Sequence, residues 1–72
     1  MVVRLTARQR GVLDAVVNFT ASNGYPPSIR ELMVVLNVSS PTTVKDHLDA
    51  LERKRWIERD PGTARGLRVI RS

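Results

Sequence analysis

The sequence predicts a mainly α fold of the α+β class, with three helices followed by a two-stranded β-hairpin. Three observations predict it. Three stretches of helical apolar spacing each open on a strong N-terminal signal. The apolar period then changes from helical to alternating near Trp56. The alternating stretches are separated by Asp60-Pro61-Gly62-Thr63, a turn sequence. With 72 residues, one domain over 1–72 is expected. A chain this short buries only about 60% of its unfolded surface, which leaves a stability near ~5 kcal/mol or less.

The first helix opens at Thr6. Its hydroxyl can accept from the Gln9 N–H while the Gln9 side chain answers, the capping-box pattern. Leu13, Val16, Val17 and Thr20 follow at helical spacing, and Val12 and Phe19 widen the stripe. Asn23-Gly24 supplies a left-handed stop, and Pro26-Pro27 forbids continuation. A helix over about 7–22 follows.

Ser28 and Glu31 form a second capping box. Ile29, Leu32, Met33 and Leu36 fall on one face of the helix they open, and Asn37 is placed to end it. Val34 and Val35 lie off that stripe, and two readings stay open for them. One is partial burial against a neighbouring helix. The other is an exposed apolar contact for another protein.

Ser40-Pro41 opens the third helix, with serine at the N-cap and proline at the first helical position. Val44, Leu48 and Leu51 face inward, with His47 beside them as a partly buried packing residue. Thr42, Thr43, Lys45, Asp46, Asp49 and Arg53 face outward. Trp56 to Arg59 and Leu67 to Val69 make the hairpin, whose loop carries Arg65 beside Gly66. An isolated hairpin is marginal, so it packs on the helices through Trp56, Ile57, Leu67 and Val69.

The charge is placed unevenly. The chain carries net +5, and residues 1–52 balance five basic against five acidic side chains, so the whole excess lies in residues 53–72. Ten of the twelve basic residues are arginine, the type suited to bidentate phosphate contact. One reading of this charge is a solubilising surface. The localisation favours a polyanion, bound through counterion release.

Other classes are disfavoured. There is no cysteine, hence no disulfide framework or thiolate metal site. The longest apolar run, Leu32 to Leu36, is far too short for a membrane span, and no signal peptide is visible behind Met1. A cytoplasmic, nucleoid-associated protein is expected. No nucleophile–base grouping, carboxylate pair or phosphate loop points to an enzyme, and no cofactor is called for.

A short capped helix, a turn of about four residues and a second helix with short polar side chains near its N-terminus suit a major groove. With the hairpin added, this is the winged helix-turn-helix arrangement. The chain resembles the N-terminal DNA-binding domain of the LexA repressor family. The resemblance is carried by Leu5-Thr6-Ala7-Arg8-Gln9, Gly24-Tyr25-Pro26-Pro27-Ser28-Ile29-Arg30-Glu31 and Ser40-Pro41. It continues through His47-Leu48, Ala50-Leu51, Arg53-Lys54, Ile57-Glu58 and Arg65-Gly66-Leu67-Arg68.

The resemblance implies a transcriptional repressor of the bacterial DNA-damage response that reads a palindromic operator in double-stranded DNA. Base contacts would fall on Ser40, Thr42, Thr43, Lys45 and Asp46. Backbone contacts would come from Thr6, Arg8, Ser28, Arg53, Lys54 and Arg65. Two copies would pair on the DNA, or one copy would pair with another regulator.

Three departures from the family pattern stand out. Lys45-Asp46 replaces the adjacent glutamates of some members, so the operator need not be the familiar one. Arg55 stands where glycine is common, and Val34-Val35 where the family is usually more polar. The family's self-cleaving serine/lysine domain, which also dimerises it, is not expected within 1–72. Ser40 as a cap and Lys45 as an outward side chain do not make that dyad. The alternative function is a protein-interaction winged helix that docks on a full-length repressor, polymerase or other regulator.

Overall fold

A computed structural model describes residues 4–60, 62 and 66–70. The order is α1 (Ala7–Asn23), α2 (Ile29–Leu36), α3 (Pro41–Arg53), β1 (Ile57–Arg59) and β2 (Leu67–Val69). The two strands form one antiparallel sheet, with Ile57 opposite Val69, Glu58 opposite Arg68 and Arg59 opposite Leu67. Three helices and a hairpin are thus a winged helix-turn-helix.

Local chemistry sets the helix ends. Thr6 Oγ1 accepts the Gln9 N–H and Gln9 Oε1 accepts the Thr6 N–H, both at 3.1 Å. Gly24, at φ 80, ends α1 one residue later than the spacing suggests, and its N–H reaches the Thr20 carbonyl at 2.8 Å. Ser28 and Glu31 close the second box at 2.9 and 3.2 Å. Asn37, at φ 56, ends α2, with its own N–H on the Val34 carbonyl and the Val38 N–H on the Met33 carbonyl. That pair of bonds is a Schellman motif, and it aims the chain into the four-residue turn before α3.

A second Schellman motif ends α3. The Arg55 N–H reaches the Glu52 carbonyl at 3.0 Å, and the Trp56 N–H reaches the Leu51 carbonyl at 2.9 Å. The left-handed position is Arg55, at φ 64. The glycine that the resemblance leads one to expect there is replaced by a residue that pays for its Cβ in strain.

The core joins all the elements. Val12, Leu13 and Val16 of α1, Leu32 of α2, and Val44, Leu48 and Leu51 of α3 meet Ile57 and Leu67 of the hairpin. Trp56 and Val69 pack partly buried against this cluster, as do Ile29, Met33 and Leu36. His47 is half-buried. Val34 and Val35 are not partly buried: they are 77% and 53% exposed. The reason is geometric. An eight-residue helix has its neighbours on the Leu32 side, and Val34 and Val35 are turned away from it at helical spacing.

Candidate nucleic-acid interface

The outer face of α3 is held in place from beneath. Val44, Leu48 and Leu51 are essentially inaccessible, so the positions between them turn outward. Thr42, Lys45 and Asp46 are exposed, and Thr43 and Ser40 are half-buried. Ser40 Oγ accepts the Thr43 N–H at 3.5 Å, which leaves the serine proton for another acceptor. The five residues expected at bases therefore lie on one continuous surface at the first turns of α3.

The described residues expected at the backbone lie at three element ends. Thr6 and Arg8 are exposed at the start of α1, where Ala7 and Arg8 have no intrahelical acceptor for their N–H groups. Thr6 Oγ1 accepts from Gln9, so its own proton can be donated outward. Ser28 stands likewise at the start of α2, where Arg30 is exposed. Arg53 is exposed in the last turn of α3. Arg65, expected on the wing, lies outside the described residues.

Lys54, also expected at the backbone, is engaged within the protein. Its ammonium donates to the Arg4 carbonyl at 3.0 Å and to Gln9 Oε1 at 2.7 Å. It bridges α3 to the start of α1.

Asp49, outward by spacing, is also engaged. Arg59 of β1 binds both Asp49 and Glu52 of α3, the latter at 2.9 Å. Partial burial works against the charged guanidinium, but the hydrogen bonds and attraction of the two carboxylates outweigh it and hold Arg59 above its ordinary range. On the outer face of the hairpin Arg68 meets Glu58 at 2.5 Å, directly across the strands. Among the described residues, Arg8, Arg30, Lys45 and Arg53 form no ion pair.

Sequence reasoning missed the second role of Gln9 and the role of Arg59. Gln9 was legible as a cap, but its bond to Lys54 spans 45 positions.

A positively charged winged helix-turn-helix with a polar third-helix face has the form of a DNA-binding domain. The model of the LexA DNA binding domain matches residues 2–66. Among similar proteins, LexA repressor 1 of Geobacter sulfurreducens is 41% identical over 66 residues, 92% of this chain and 33% of the relative. The LexA repressor of Roseiflexus sp. is 46% identical over 92% of this chain and 30% of its own length. That of Thermotoga neapolitana is 46% identical over 94% and 34%. The chain belongs to the LexA DNA-binding domain family. It spans about a third of the length of these relatives.

Proposed function

We propose that this chain binds double-stranded DNA sequence-specifically as the reading module of a transcriptional repressor of the LexA type. The carrying observation is the first two turns of α3, where Ser40, Thr42, Thr43, Lys45 and Asp46 share one surface braced by a buried underside. Threonine offers a methyl to thymine and a hydroxyl to either groove edge, and Lys45 donates to guanine O6 and N7. Asp46 accepts from a cytosine amino group and rejects a phosphate or a carbonyl-rich edge. Thr6, Arg8, Ser28, Arg53 and Arg65 hold the backbone, which fixes register without reading sequence.

One module of this kind buries about 600–1,000 Å² on DNA, so a single copy binds weakly. Two copies on half-sites about 34–36 Å apart, related by a two-fold axis, would read a palindromic operator. Regulation of the DNA-damage response in the cytoplasm of a bacterium is the physiological reading.

The test separates reading from holding. Thr43→Ala and Lys45→Ala should change which sequences are preferred, by about 1–3 kcal/mol at the affected position. Arg53→Ala should weaken every sequence alike. Equal losses on all sequences from the α3 substitutions would remove the readout assignment.

The second reading, a protein-docking winged helix, draws on the exposure of Val34 and Val35. It predicts partner binding that survives charge reversal at Arg53, Lys54 and Arg65, together with no DNA binding in the unaltered chain.

A further inference from the structure

Only two of the twelve basic residues are lysine, and one of them, Lys54, stands at the C-terminal cap of α3. Its ammonium reaches across to the beginning of α1. It donates to the Arg4 carbonyl at 3.0 Å and, in a partly buried bond, to Gln9 Oε1 at 2.7 Å. That same Oε1 accepts the Thr6 N–H at 3.1 Å. One side-chain oxygen therefore joins the capping box of α1 to the end of the reading helix. An ammonium suits the place. It is a compact charge with donors in several directions, where a planar guanidinium would demand parallel acceptors.

We propose that Lys54 is a positioning residue for DNA binding and not a phosphate ligand. It holds the first turn of α1 at a fixed offset from the reading face of α3. The inference rests on the DNA-binding reading above. A duplex presents its phosphates at a fixed spacing from its base edges. A protein that grips both gains affinity when its two grips are pre-set to that spacing. The grips here are the Thr6 hydroxyl, Arg8 and the first-turn N–H groups on α1, and the polar face of α3. Lys54 and Gln9 form the strut between them. In the alternative, Lys54 contributes to affinity through its charge on a phosphate, and the offset is set by packing alone.

The test uses the full chain as wild type, Lys54→Met, Gln9→Ala and the double variant. Each is titrated against one fixed mixed-sequence duplex across a salt series, with folding followed by circular dichroism melts. Each single variant should weaken binding roughly three- to tenfold, the worth of one ordinary hydrogen bond. The double variant should bind no more weakly than the weaker single, because both remove the same strut. Gln9→Ala should keep the wild-type slope of log affinity against log salt.

The opposite pattern overturns the proposal: a slope reduced by about 0.9 in Lys54→Met, the signature of one lost phosphate contact, with Gln9→Ala binding as wild type and the effects multiplying in the double. Gln9→Ala keeps the Lys54 charge, so it decides alone if Lys54→Met does not fold. A wild type that binds neither this duplex nor any member of a random pool at low salt overturns the DNA-binding reading itself. A wild type that binds, with the opposite pattern in the variants, overturns only the strut.

Discussion

Arg55 occupies the left-handed position of the Schellman motif that ends α3, at φ 64. A side chain there costs roughly 1–2 kcal/mol, and glycine recovers that while losing about 0.5–1 kcal/mol to the freedom of the unfolded chain. Arg55→Gly should therefore stabilise the fold by up to ~1 kcal/mol, and Arg55→Val should destabilise it by more than Arg55→Ala. Thermal melts check the order, since 1 kcal/mol moves the midpoint by about 4–8 °C in a domain of this size. A melt that Arg55→Gly leaves unchanged or lowers would show that the arginine side chain makes up the strain elsewhere. Gly11 offers a contrast. A Cβ built there meets nothing within 4 Å, and it lies inside α1, so Gly11→Ala should stabilise by about 0.5–1 kcal/mol.

At the scale of elements, the hairpin matters because it is tied to α3. Arg59 grips Asp49 and Glu52, and the ladder is closed by the Asp60 N–H on the Gly66 carbonyl at 2.7 Å. Gly66 has no room for a side chain: a Cβ there would lie 2.6 Å from the Asp60 carbonyl oxygen. Gly66→Ala should cost about 1–3 kcal/mol by forcing the two strands apart. Arg59→Ala should cost only ~1 kcal/mol in melts, because the ion pairs are partly exposed, and that cost should shrink in high salt.

The helix ends were legible because a cap is written within a few residues. Thr6 with Gln9, Ser28 with Glu31, and Asn37 each carry their own partner a turn away. The Lys54–Gln9 and Arg59–Asp49 bonds were not legible, because tertiary packing alone brings those residues together. For Val34 and Val35 the period showed only that they left the core stripe. Whether a neighbour covered them depended on how many elements α2 touches.

For the whole molecule, charge balance decides which cations are available. Among the described residues, Arg59 and Arg68 of the hairpin are matched by carboxylates, while Arg8, Arg30, Lys45 and Arg53 form no ion pair. The face expected at bases was legible from the inward positions of α3, whose burial determines which residues turn outward. With the three cationic backbone contacts proposed above, Arg8, Arg53 and Arg65, the expected slope of log affinity against log salt is roughly −3 per bound copy.

The most direct test of sequence-specific reading by α3 is selection of duplexes from a random pool at two salt concentrations. An enriched palindrome, with retention that falls steeply as salt rises, is the predicted result. Retention without enrichment would mean that the chain holds backbone and reads nothing, and no retention even at low salt would contradict DNA binding altogether.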